Sequence, residues 1–280
     1  MAELWQTLPL AGRAEAAMTR KLALLLIVTV LFLPFLPLLI WSFAKGWYFP
    51  QLLPQDWTLQ NWVSILAISS KVGQGFFQSL LIASISTGLA LLVGLPAGRA
   101  LGLMTFPGKG AIKLFLLLPI IVSPLATLMG IQFMLIRLGL SGTILGVVLV
   151  HLLPTIPYMT LVLSSVYANF DTGYEAQARS LGASPIQVLW QITLPLVAPG
   201  VVVGALFAFL ISWNEFLLTF FVGSGRVFTL PMVLFTSLQG GNTGLTAAIS
   251  ITSILPALIF LLFSSRALRS DAAIGGLGDV

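Results

Sequence analysis

Apolar residues run along this chain in long blocks, and polar residues gather in the gaps between them. Six blocks have the length of a bilayer-crossing helix, about 20 residues each: roughly 22–44, 76–98, 112–136, 144–167, 197–222 and 246–264. No gap is long enough to bury a core of its own. The pattern therefore predicts one all-α integral membrane domain over 22–265, with tails over 1–21 and 266–280. One gap has internal order. Thr172 to Pro195 reads as two short helices with a break, an elbow between membrane segments. Thr172 and Glu175 have the spacing of a capping box, and Ser184 and Gln187 repeat it with Pro185 at the first helical position. Gly182 suits the left-handed residue that ends the first helix. Pro195 is expected to stop the second.

Composition agrees with a membrane assignment. The chain has 280 residues, 58% hydrophobic and 8% charged, where a soluble domain carries about 25% charged residues. Six crossings put both ends and the elbow on one side. Arg13, Arg20, Lys21, Arg99, Lys109, Lys113, Arg179, Arg266 and Arg269 fall there, against Lys45, Lys71, Arg137 and Arg226 opposite. That asymmetry places termini and elbow inside. The net charge of +5 is this bias; no basic-aromatic cluster suggests nucleic acid. The first block exceeds the apolar core of a signal peptide and reads as an anchor. Ahead of it, residues 1–19 read either as a short interfacial helix or as a loose tail.

The sequence holds no catalytic or metal centre. It has one histidine and no cysteine, no HExxH, and no Gly-rich phosphate loop. ATP hydrolysis, if needed, must come from another chain. Trp41, Trp47, Tyr48, Trp57 and Trp62 in and beside the loop at 45–75 suit a membrane-water interface, or a dock for an external partner; a short helix is expected from Thr58 to Trp62. Pro119, Pro124, Pro154 and Pro157 lie within apolar blocks, where they kink helices for packing or mark a cavity or moving part. Gly98-x-x-x-Gly102 and Gly200-x-x-x-Gly204 permit close helix approach. Asn214-Glu215 is a polar step inside the fifth block, read either as part of a translocation path or as a group near the outer interface. His151 is a path candidate or a hydrogen-bonded structural residue. Gln239 to Thr243 reads as an outer loop. With one embedded carboxylate and no internal repeat, an ion-coupled secondary transporter is the weaker class.

The elbow resembles the cytoplasmic coupling loop of ABC-importer permeases. Gly182, Ile192, Leu194 and Pro195 match that loop in register, and Leu181 to Ser184 and Phe106-Pro-Gly-Lys109 are similar to the family as well. The family's Glu-Ala-Ala falls on Ala176, Gln177 and Ala178, with Glu175 one position early. Glu175 either substitutes for the glutamate that pairs with the ATPase, or caps the helix and pairs with Arg179. The resemblance implies a type I importer-permease fold in the bacterial inner membrane. It implies an ATPase dimer that binds ATP and Mg, a second permease of different sequence, and a periplasmic solute-binding protein. It makes Glu175, Ala176, Gln177, Ala178, Arg179, Leu181, Gly182 and Ala183 the coupling contact, and Asn214, Glu215 and His151 candidates for the path. Trp57 to Trp62, His151 with Pro154, Asn169 to Asp171, Phe221 to Arg226, and Thr229 to Pro231 look most like the second permease of spermidine/putrescine systems. A polyamine or other small nitrogenous solute is implied, although permeases for aminophosphonates, opines, ferric iron and sugars share this layout.

Overall fold

The computed structural model describes residues 10–47, 50–51, 53–122 and 124–275. Among them the regular structure is helical, with a single isolated bridge between Ala44 and Trp57. The helices, in chain order, are α1 (Leu10–Phe32), α2 (Phe35–Phe43), α3 (Gln60–Leu66), α4 (Lys71–Leu103), α5 (Lys109–Ile121), α6 (Pro124–Arg137) and α7 (Ile144–Ala168). They continue as α8 (Gly173–Ser180), α9 (Pro185–Val188), a π-helical turn (Leu189–Thr193), α10 (Leu194–Trp213), α11 (Leu217–Val222), α12 (Leu230–Gln239) and α13 (Thr243–Gly275).

Among the described residues, three helical runs are long and apolar enough to cross a membrane unaided: Lys71–Leu103, Ile144–Ala168 and Pro185–Trp213. A fourth crossing forms if α1 and α2 are one span, bent by 41° at the Leu33-Pro34 step. The third apolar block is split between α5 and α6 just ahead of Pro124, whose ring disfavours helix in the preceding residue. The fifth ends at Trp213, short of the expected 222. From Leu10 the N-terminal segment is already part of α1; Leu4, Trp5 and Leu8 lie outside the described residues, as does Tyr48. Helix continues past 266 to Gly275, with 276–280 outside the described residues.

Local chemistry sets several of these ends. The Ser70 hydroxyl accepts the Gly73 N–H at 2.9 Å to start α4, and Thr143 accepts the Gly146 N–H at 3.0 Å to start α7. The expected helix after Thr58 forms as α3, with the Thr58 hydroxyl accepting the Gln60 N–H at 3.1 Å. The Asn61 side chain fastens α3 to α2 by donating to the Ser42 carbonyl at 3.1 Å. Trp41 packs on Trp47, and Phe43 on Trp62, with ring centres 5.5 and 5.7 Å apart.

The centre of the molecule is α7, held between α4 and α10. Glycines make the approach possible. Gly94, Gly98 and Gly102 of α4 face Met159, Leu163 and Tyr167 of α7, four residues apart on both helices. A Cβ on Gly98 would lie 2.6 Å from the Leu163 Cβ. Across the other side of α7, Gly200 faces Val166 and Gly204 faces Met159 and Val162. Both Gly-x-x-x-Gly pairs read from the sequence are thus packing seams, and the α4 seam extends one turn further, to Gly94.

Candidate functional site

The elbow begins four residues after α7. The expected capping box at Thr172 does not form: Thr172 makes no side-chain cap, and Asp171 instead accepts the Gly173 N–H at 2.8 Å. Glu175 is unavailable for capping because its carboxylate turns inward, leaving the residue 4% exposed. Its Oε1 and Oε2 accept from Arg99 Nη1 and Nη2, both at 2.7 Å, the paired geometry that guanidinium and carboxylate favour. Thr193 Oγ1 donates to Oε1 at 2.6 Å, and Arg179 stands 3.6 Å from Oε2. The Arg99 guanidinium also lies over the Tyr167 ring, 5.8 Å from its centre. One carboxylate therefore joins the elbow to α4 and to the π turn, through an arginine that also touches α7. Hydrogen bonds from Arg99 hold the Glu175 carboxyl below its ordinary range; burial opposes this, and Thr193 adds to it. A depressed carboxyl stabilises the fold above its unfolded-state value and loses that contribution only as pH falls through the folded value. The tie is thus intact at neutral pH.

The remainder of the elbow follows the sequence reading closely. Gly182 adopts φ +86°. The Gly182 N–H reaches the Arg179 carbonyl at 3.0 Å and the Ala183 N–H the Ala178 carbonyl at 3.1 Å, the pair of bonds that defines a Schellman end. The second capping box forms, with Ser184 and Gln187 bonded both ways at 2.8 and 3.3 Å. Pro195 does not stop the helix. Leu194 N–H bonds back five residues to Leu189, and this widened turn leads through Pro195 into α10. A π turn before a proline accommodates the ring that would otherwise meet the carbonyl four residues back.

Outward-facing residues of the elbow are strongly exposed. Tyr174, Gln177 and Leu181 share one face of α8 by their three- and four-residue spacing. Leu181 is 89% exposed and Tyr174 52%, with Ile186 at 70% just beyond the turn. Ala176, Arg179 and Gly182 are exposed as well, Ala178 and Ala183 half-buried. Tyr174 and Ile186 stand outside the residues that motif matching picked out; an apolar residue among polar ones in the elbow was the available signal.

The second polar position sits in the break between α10 and α11. Glu215 is half-buried and accepts the Leu218 N–H at 3.1 Å, so it starts α11. Asn214 is exposed and donates to the Leu210 carbonyl at 2.9 Å. Asn214 also lines a cavity of about 320 Å³ with Phe216, Leu234, Phe235 and Ser253. His151 is fully enclosed. Its Nδ1 pairs with Ser212 Oγ at 2.7 Å and its Nε2 with Thr219 Oγ1 at 2.9 Å, one on each side of the break. Thr219 donates its own proton to the Glu215 carbonyl at 3.2 Å, so the ring donates from Nε2 and accepts at Nδ1. The geometry makes His151 a brace across the break. Replacing it with alanine leaves the buried Ser212 hydroxyl without its acceptor and Thr219 without its second bond, at about 1–3 kcal/mol; the purified chain should melt several degrees lower, and an unchanged melting point would count against the brace.

The family model for the binding-protein-dependent transport system inner membrane component matches residues 90–270. An inner membrane ABC transporter permease protein of Escherichia coli K12 is 28% identical over 264 residues, covering 91% of this chain and 94% of that protein. A spermidine/putrescine transport system permease of Haemophilus influenzae is 27% identical over 252 residues, covering 90% and 97%. Among solved structures, a bacterial ABC transporter involved in import of the acidic polysaccharide alginate superimposes with a TM-score of 0.69 at 15% identity. The match covers 92% of this chain and 98% of that one, a likeness of fold alone.

Proposed function

The chain belongs to the family of binding-protein-dependent transport system inner membrane components, and from that premise we propose that its elbow is the contact through which a separate ATPase drives solute import. It is an ABC-importer permease subunit with an all-helical importer fold. The observation that carries the proposal is the exposure of the apolar residues Tyr174, Leu181 and Ile186 along the elbow between α7 and α10. Apolar groups held in water by a capped, rigid turn are suited to a partner's groove. Ala176, Gln177, Ala178, Arg179, Gly182 and Ala183 frame that face. ATP and Mg then bind to the partner, and this chain hydrolyses nothing.

Six crossings are proposed: the bent α1–α2 pair, α4, the broken α5–α6 pair, α7, α10, and α13. The charge asymmetry supports termini and elbow inside, which epitope tags at each end would check. A second permease of different sequence completes the proposed assembly together with a periplasmic binding protein, the latter supported by the family description.

For the solute, similarity to a spermidine/putrescine permease supports a polyamine or related nitrogenous compound. The cavity beside Asn214 favours a second reading. It offers an amide, a hydroxyl-bearing residue and two phenylalanine rings among aliphatic residues, and Glu215, one of whose oxygens accepts the Leu218 amide, does not line it. Such a lining suits an uncharged sugar-like solute. A thermal-shift screen of the partnering binding protein against spermidine, putrescine and maltose separates the two, because a ligand of the folded state raises the melting point.

The elbow contact is tested by Leu181→Asp. A charge in the centre of a desolvated apolar contact costs about 2 kcal/mol or more. ATPase recovered with the tagged permease should fall at least fivefold, with the permease still in the membrane. Full recovery of ATPase would reject this face as the contact.

A further inference from the structure

The buried end of the elbow carries chemistry that the exposed face does not explain. Glu175 is buried about a third of a turn round α8 from the exposed Leu181, and both its oxygens are bonded: Arg99 brings one nitrogen to each, and Thr193 adds a third bond. Glu175 is 4% exposed, so an ATPase side chain could reach it only by breaking these bonds. Ala176 is exposed at the place where the resemblance puts the ATPase-pairing glutamate, and it offers no charge.

We propose that Glu175 is a positioning residue, a tie that transmits elbow movement to α4 and α10, and that the ATPase never contacts it. The proposal rests on the permease reading above. Without the tie, α8 is joined to α7 through residues 169–172 and to α9 through the turn at Gly182 and Ala183, both short loops. With it, a pull on the elbow reaches Arg99 in the last turns of α4 and Thr193 at the base of α10. Arg99 also lies against Tyr167 near the end of α7, so all three central helices meet at this point. The small cavity beside the tie, about 250 Å³, is lined by Arg99, Glu175, Arg179, Pro185 and Thr193, so the charged groups face one another across the joint between elbow and bundle.

The experiment compares Glu175→Gln, Arg99→Gln and the double variant with Leu181→Asp, in the full complex reconstituted with its ATPase and with the binding protein carrying its own solute. Glu175→Gln keeps size and shape and removes the charge. ATPase recovery should stay within twofold of the parent, unlike Leu181→Asp. Stimulation of ATP hydrolysis by the binding protein should fall at least fivefold. Amide exchange across 173–183 should quicken by at least tenfold, and the double variant should add little to either single one, as expected when two residues act as a unit. The exchanged pair Glu175→Arg with Arg99→Glu should recover part of the stimulation that either single reversal abolishes. If Glu175→Gln sheds the ATPase as Leu181→Asp does, Glu175 is a contact and the proposal is wrong. Unchanged exchange and unchanged stimulation would also overturn it. A parent chain that recovers no ATPase would overturn the permease reading and this inference together.

Discussion

Gly98→Leu is expected to keep this chain from accumulating in the membrane. Gly98 sits in the middle of the seam where α4 approaches the backbone of α7: an added Cβ meets Leu163 Cβ at 2.6 Å and the Leu163 carbonyl carbon and Ser164 nitrogen at 3.1 Å. Those last two are backbone atoms, which no rotamer change can move aside. Overpacking a well-filled core by single methylenes costs about 1–3 kcal/mol. A leucine here must separate two helices that meet along three successive turns. Gly98→Ala is the graded version and should lower the melting point by several degrees, at roughly 2–4 °C per kcal/mol for a domain of this size. Gly88→Leu is the control, because no atom lies within 4 Å of its added Cβ and it shares the same helix. Similar yields of Gly98→Leu and Gly88→Leu protein would mean that α4 and α7 do not pack along this seam.

Gly182→Val is expected to leave the bundle folded and abolish transport. Nothing lies within 4 Å of an added Cβ at Gly182, so the obstacle is conformational. At φ +86° a branched side chain is strained, and left-handed backbone costs an L-residue roughly 1–2 kcal/mol. That shifts the population of the native turn about 5–30-fold. Because the two Schellman bonds join α8 to the Ser184 cap, losing the turn changes the angle between the face bearing Leu181 and the helix leading into α10. The expected signature is ATP hydrolysis that continues without solute uptake, measured in proteoliposomes. Normal uptake per ATP in Gly182→Val would mean that the elbow is not a rigid lever.

These two glycines also mark how far the sequence could be read. Gly182 and the Ser184–Gln187 box were legible because each is decided within a few residues: a left-handed turn needs glycine, and a box needs its two partners three apart. The glycine seams were legible as spacing, though their facing residues were not. Glu175 was read only in part, for the opposite reason: the expected pairing with Arg179 is present and the cap is not. Its spacing from Thr172 fits a box, yet its partner Arg99 lies 76 residues away, and a bidentate charged pair outweighs a local cap. His151 likewise draws Ser212 and Thr219 from 61 and 68 residues away. Hydropathy marked where the apolar blocks lie. It could not tell an unbroken helix from one interrupted at Leu33-Pro34, ahead of Pro124, or at Asn214, because breaks flanked by apolar residues leave the block average unchanged.

The π turn at Leu189–Thr193 places one more residue in its loop than an α-helix would. In phase terms it is a one-residue insertion, and each residue turns a helix by about 100°. Deleting Gln191 would let regular helix run from Pro185 into α10 and would carry everything before it round by that angle. The Thr193 hydroxyl would then no longer point the same way relative to the elbow, and Glu175 would be turned away from Arg99 on α4 as well. Length within this single turn therefore sets the compass bearing of the elbow, so a chain one residue shorter here would need its ATPase-facing surface on a different side of α8.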